Sequence, residues 1–224
     1  AALMDGKNVL YITMEMSEEK IAERIDANLM NVPIDQMENL SRDMFTNKIT
    51  NISKKNIGKL IMKEYPTGAA HAGNFRALIE ELKMKKNFKP DIIMVDYLNI
   101  CASSRMKSTG GAVNSYTYIK SVAEEMRGLA VEFNVPVVTA TQSNRDAFGS
   151  TDVDLDNTSE SYGVPATADL MFALITNEEL ENLGQVMIKQ LKNRYADPST
   201  NKRFVLGVDR SKMRLFDAED SAQT

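Results

Sequence analysis

Three polar residues stand at the ends of apolar runs, and each is of a type that can work on a phosphate. Asp96 closes the run Ile92-Ile93-Met94-Val95, which follows Pro90-Asp91 in KPDIIMVDY. A continuous apolar run this short fits a strand buried on both faces, as in a parallel sheet. Open α/β sheets bind ligands at the carboxyl ends of their strands. A carboxylate there is placed to give an oxygen ligand to a phosphate-bound Mg²⁺, in the form of a Walker B strand. The plainer reading is an aspartate capping a turn. Glu15 lies just past the apolar run Asn8–Thr13 and just before Ser17, so it could polarise a water; the plainer reading is a solvated loop glutamate. Gln142 follows the run Val135–Thr141 and could hold a γ-phosphate or orient a water, or simply occupy a turn. Arg105 and Lys107 sit in the polar stretch Ser103–Gly111. They could contact a phosphate backbone, or belong to an ordinary surface loop.

The elements that must position these residues follow from pattern. Asn8–Thr13, Leu60–Tyr65, Ile92–Val95, Val135–Thr141, Asp169–Ile175 and Gln185–Leu191 read as strands, the Val135–Thr141 run as a buried one. Ser17 can N-cap a helix carrying Glu18 and Glu19 in its first turn, with Ile21, Ile25 and Leu29 on one face. Residues 31–56 read as mainly helical with a break at Pro33, and Phe75, Leu78, Ile79 and Leu82 mark another amphipathic helix. The lysines between Lys83 and Lys89 complement the dipole at that helix's end. His71 falls in the loop before it and reads as solvated. A long helix is expected with Tyr116, Ile119, Val122, Ala123, Met126, Leu129 and Phe133 on one face. Arg203–Val208 and Lys212–Phe216 read as a hairpin, and Asp217–Thr224 as an acidic tail. Strands alternating with helices predict a mostly parallel sheet flanked by helices, with antiparallel strands added at the C-terminal edge.

Composition narrows the chemistry. The 224 residues, 43% of them hydrophobic, suit one α/β domain over residues 1–216. A net charge of −4 gives no bulk nucleic-acid footprint, so such contacts must come from local basic loops. One cysteine, Cys101, excludes an internal disulfide, and one histidine makes a His-based metal site or a Ser-His triad a poor reading. No run is long enough to span a membrane, and a cytoplasmic setting is expected. The opening Ala1–Gly6 reads as the last turn of a helix with a Gly C-cap, as though cut from a longer chain.

Four segments, LYITMEMSEEKIAERI, PDIIMVDYLNICASS, EEMRGLAVEFNVPVVTATQSNR and IKQLKNRY, occur in this order. Together they resemble the RecA-like ATPase domain of hexameric replicative DNA helicases of the DnaB type, most nearly the branch found in T-even-type bacteriophages. The resemblance implies an ATP-dependent DNA helicase using ATP and Mg²⁺. It implies that Glu15 activates the attacking water, that Asp96 holds Mg²⁺ through water, and that Gln142 senses the γ-phosphate. It assigns Lys192 and Arg194 to the nucleotide of a neighbouring subunit, with Arg194 as an arginine finger. Loops at Arg105–Gly111 and Asp146–Gly163 would face a central channel, with Arg105, Lys107 and Arg145 on single-stranded DNA. Implied partners are single-stranded DNA, further copies in a ring of six, a primase and a helicase loader, in the host cytoplasm if the source is a phage.

One departure stands out. The family's GxxxxGK[ST] phosphate loop is absent: Gly6-Lys7 is followed by Asn8 and leads into a strand. By the resemblance, that loop and the first strand would precede LYITMEMS, so the chain alone is expected to hold ATP poorly. Three aspartates, Asp152, Asp154 and Asp156, bring negative charge to the second loop. A recombinase-like RecA-fold ATPase is a competing reading, as is a non-catalytic ring-assembly module. The carboxylate at Glu15 argues against the module.

Overall fold

The computed structural model describes residues 1–106, 114–142, 163–197 and 199–218. By its internal contacts the chain divides into two compact units, residues 1–22 with 40–141, and residues 23–39 with 142–224.

The first unit is built on a four-stranded parallel sheet. Its strands are β1 (Val9–Thr13), β2 (Leu60–Glu64), β3 (Ile92–Asp96) and β4 (Val137–Thr139), in the order β2-β1-β3-β4. The register sets Thr13 beside both Glu64 and Asp96, so the strands end level with one another. The helices that alternate with them along the chain are α1 (Glu18–Met30), α2 (Arg42–Ser53), α3 (Ala72–Lys86) and α4 (Ser115–Phe133). The later part of α1 and the 3₁₀ turn after it, Ile34–Asn39, count with the second unit. Leu10, Ile12, Ile93 and Val95 are buried, as are Phe75 and Ile79 of α3 and Val122, Met126 and Leu129 of α4.

The apolar runs were expected to be buried on both faces, and here the structure differs. In β3 the burial alternates: Ile93 and Val95 are buried, whereas Ile92, Met94 and Asp96 are half-buried. β4 is the last strand of its sheet, so only one edge is paired, and Val138 is 49% exposed. The sequence hid this because Ile92 and Met94 on the half-buried face are as apolar as Ile93 and Val95 on the buried one, so no alternation marked the difference.

Local chemistry explains the helix starts. Ser41 accepts the Met44 N–H and caps α2. His71, expected in solvent, is instead the N-cap of α3: its Nδ1 accepts the Gly73 N–H, while Asn74 Oδ1 accepts the His71 N–H. At the amino end Lys7 N donates to Ala2 O and Gly6 N to Leu3 O, with Gly6 at φ +76°. That is the bonding pattern of a glycine-terminated helix end.

The second unit holds a four-stranded antiparallel sheet of its own: β5 (Leu170–Ile175), β6 (Gln185–Asn193), β7 (Arg203–Asp209) and β8 (Arg214–Asp217), in sequence order. Two five-residue helices accompany it, α5 (Gly163–Thr167) and α6 (Glu178–Asn182). Neither is long enough to show a period in sequence. The register of β5 against β6 shifts between Met171 and Phe172, because Met171 faces Lys192 while Phe172 faces Gln190. Leu191 is the extra residue, and a bulge of this kind re-aims the side chains beyond it. No helix among the described residues is long and apolar enough to cross a membrane.

Candidate functional site

The site begins with a buried hydroxyl. Thr13, the last residue of β1, is fully buried. Its Oγ1 donates to Met16 O at 2.8 Å and accepts from Met16 N at 3.1 Å and Glu15 N at 3.4 Å. These bonds fold residues 14–16 into a tight turn between β1 and α1, with Glu15 exposed at its crest. From the neighbouring strand end, Asp96 O accepts the Met14 N–H at 3.0 Å. The backbone under Glu15 is therefore tied to the residue that carries the second carboxylate. Thr67 Oγ1 donates to Met14 O at 2.7 Å and fixes the turn from the β2 side.

Asp96 is half-buried, and its Oδ2 accepts the Tyr11 hydroxyl at 2.9 Å. Tyr11 lies two residues before Thr13 on β1, so both ends of that contact are set by the parallel register. Beyond Asp96 the chain is stitched to its neighbours: Leu98 N donates to Ala140 O, Thr141 Oγ1 to Asn99 Oδ1, and Ala102 N to Ala70 O. The ends of all four strands thus form one connected rim in the first unit. Glu15 and Asp96, predicted at strand ends, are brought together there.

Asp96 suits a hydrated Mg²⁺. That ion keeps most of its waters and is held by one or two carboxylates plus substrate phosphates. Among the described residues no group of three or more His, Cys, Asp or Glu side chains forms a cage, and a single carboxylate at a strand end is the donor set this chemistry uses.

The segment leaving the rim is held by a residue that sequence reasoning passed over as a site. Glu125 of α4 is buried. Its carboxylate accepts Ser103 Oγ at 2.6 Å, Ser104 Oγ at 2.8 Å, Ser104 N at 3.0 Å and Arg105 N at 3.3 Å. Burial pushes its pKa up, but these bonds outweigh that and hold it below the usual carboxylate value. Arg105 is exposed and pairs through Nη1 with Glu124 at 2.7 Å. Lys107 and Arg145 lie outside the described residues, as does most of both expected channel loops. Cys101 is buried, and burial with the nearby Glu125 pushes its thiol up to about 12, so it is inert.

Gln142 belongs to the second unit and is exposed, directly after Thr141. In the same unit Lys192 and Arg194 follow the β6 bulge. Lys192 Nζ donates to Pro165 O at 2.5 Å and Ala166 O at 3.1 Å. Arg194 Nη2 donates to Ala166 O at 3.2 Å, and Nη1 pairs with Asp169 at 2.8 Å. Asp197, the next acid along the chain after Arg194, accepts from Ser199 N at 2.9 Å. Asp169 was legible only as the first residue of a strand. The one signal for it was an acid opening the strand that pairs antiparallel with the one ending at Asn193, just before Arg194.

Residues 1–201 match the family described as DnaB-like helicase C terminal domain. The chain is 46% identical to the DnaB-like replicative helicase of Enterobacteria phage T4 over 223 residues, covering 98% of this chain and 46% of that protein. It is 29% identical to a probable plasmid replicative DNA helicase of Chlamydia psittaci over 215 residues, covering 90% of this chain and 44% of that one. The chain spans about half the length of these curated relatives. Among solved structures, one described as an ATPase domain superposes with a TM-score of 0.78 at 17% identity, over 97% of this chain and 76% of that one. A DnaB-like replicative helicase, described with its interactions with primase, also gives 0.78, at 16% identity over 97% of this chain and 52% of that one. These two likenesses carry the RecA-like fold.

Proposed function

The chain belongs to the DnaB-like helicase C-terminal domain family, and from that premise we propose that it forms most of the ATP-hydrolysing motor domain, residues 1–216, of a ring-shaped replicative DNA helicase moving on single-stranded DNA. The observation that carries the reading is the pair of carboxylates at adjacent strand ends, Glu15 and Asp96, joined through the Met14–Asp96 backbone bond. Glu15 takes the proton of the attacking water, an exposed carboxylate on a turn held rigid from beneath. Asp96 holds a hydrated Mg²⁺, which when bound spreads the charge of the β- and γ-phosphates. Gln142 reads the γ-phosphate. Lys192 and Arg194 reach the nucleotide of a neighbouring subunit, where Arg194 meets the charge that develops on the transferring phosphoryl group. Arg105, Lys107 and Arg145 grip the DNA backbone without reading sequence. A homo-oligomeric ring, primase and a loader are the partners this reading implies.

The test uses the full-length protein. Glu15→Gln should cut kcat by about 10²–10⁴ while leaving ATP binding nearly unchanged, because water activation acts on the barrier and not on ground-state binding. Arg194→Ala should be nearly inactive alone. Mixed with Glu15→Gln it should recover hydrolysis wherever an intact Arg194 faces an intact Glu15. Near-normal kcat for Glu15→Gln would reduce Glu15 to a loop residue. Full DNA-stimulated turnover by Arg194→Ala would remove the finger assignment.

A further inference from the structure

Resting on the reading of Arg194 as the residue serving a neighbour's nucleotide, we propose that Asp169 is its positioning residue. Three observations converge on one guanidinium. First, the Arg194 backbone N–H donates to Asp169 O at 2.9 Å, which extends the β5–β6 ladder one residue beyond the Leu170–Asn193 pair. Second, the Asp169 carboxylate takes Nη1 at 2.8 Å, a charge-assisted bond. Third, Ala166 O, at the end of α5, takes Nη2 at 3.2 Å. The bulge at Leu191 sets up all three, because the extra residue fixes which face Lys192 and Arg194 present. Lys192 spans Pro165 O and Ala166 O beside them, so both cations rest on the same short carbonyl edge.

The geometry positions the guanidinium without consuming it. Arginine carries five N–H donors in a planar fork. These bonds engage one N–H on each Nη. The N–H on Nε and the other N–H of each Nη are not used by them. Asp169 is half-buried and the Arg194 side chain is 41% exposed, so the held edge faces the protein and the group as a whole still meets solvent. An exposed ion pair contributes little to stability. A finger, by contrast, is sensitive to aim: misplacing a positioned group by about 1 Å costs roughly 10²-fold in rate. Asp169 therefore acts on turnover through Arg194 and in the same direction, toward the neighbour.

The experiment uses the full-length protein with single-stranded DNA, in the variants Asp169→Ala, Asp169→Asn, Arg194→Ala and the double Asp169→Ala/Arg194→Ala. Asp169→Ala should lose roughly 10²-fold in kcat and Asp169→Asn less, both with KM for ATP nearly unchanged. The double variant should be no slower than Arg194→Ala alone, since two residues acting as one unit do not add. Each Asp169 variant mixed with Glu15→Gln should recover hydrolysis, as Arg194→Ala does. The proposal is overturned if the double variant loses the product of the two single factors. It is equally overturned if Asp169→Asn keeps wild-type kcat, or if Arg194→Ala recovers on mixing while Asp169→Asn does not. Because asparagine keeps the shape of the side chain, that arm decides the matter should the alanine variant fail to assemble. Full turnover by Arg194→Ala on its own would instead overturn the finger, and this inference with it.

Discussion

Thr13 shows how a residue without reactive chemistry can hold in place the turn that carries Glu15, the proposed base. Its hydroxyl serves the turn as both donor and acceptor, and no solvent reaches it. Thr13→Val keeps the shape but removes the hydroxyl's bonds to the Met16 carbonyl and to the Met16 and Glu15 N–H groups. It should cost about 1–3 kcal/mol in unfolding free energy, read from urea midpoints, and should lower kcat as the turn under Glu15 loosens. Thr13→Ser should restore both. If Thr13→Val leaves kcat unchanged despite the reduced stability, the turn does not set the aim of Glu15. The sequence made Glu15 and Asp96 legible because each sits where an apolar run stops. It could not show Thr13, since a threonine ending a strand is ordinary, nor the Tyr11–Asp96 bond, which joins residues 85 apart.

At the scale of elements, α4 does more than cover the sheet. Of the face predicted from Tyr116 to Phe133, Ile119, Val122, Ala123, Met126 and Leu129 are buried, Phe133 is half-buried, and Tyr116 in the first turn is 38% exposed. Glu125 breaks that pattern as a buried carboxylate, and it holds the first residues of the stretch that leaves the rim. The reason it was not legible is physical: its partners, Ser103 and Ser104, lie about six helical turns' worth of sequence away and meet it only through the fold. Its folded pKa lies below the ordinary value of 4.5. Its contribution to stability is therefore complete above the unfolded pKa and is lost as pH falls through the folded one. Wild type should lose more stability than Glu125→Gln on going from about pH 5 toward pH 3, seen as converging urea midpoints. Parallel curves over that window would show that the carboxylate is not held as described. The antiparallel strands were legible by composition, but the bulge at Leu191 was not, because one extra residue in a mixed strand leaves no pattern.

For the chain as a whole, charge constrains the proposed grip on DNA. A net charge of −4 over this chain repels a polyanion on average, so the proposed grip would have to be local and outweigh nearby acids. Arg105 carries its own counter-charge: Glu124 pairs with it at 2.7 Å, and Lys120 approaches the same carboxylate at 4.0 Å. On DNA, a phosphate would compete with Glu124 for the guanidinium. Removing that competitor should therefore help binding, the reverse of what removing an ordinary stabilising pair predicts. In the full-length protein, Glu124→Gln should tighten single-stranded DNA several-fold at low salt, an exposed pair being worth up to about 1 kcal/mol. Arg105→Ala and Lys107→Ala together should weaken binding and flatten its dependence on log salt by a slope of about 0.7 for each phosphate no longer neutralised. Placing Glu124→Gln on top of Arg105→Ala should restore little, because the competitor matters only while Arg105 is present. Equal salt slopes for wild type and the Arg105/Lys107 double variant would take this stretch off the DNA path, leaving the Arg105–Glu124 pair as a surface contact.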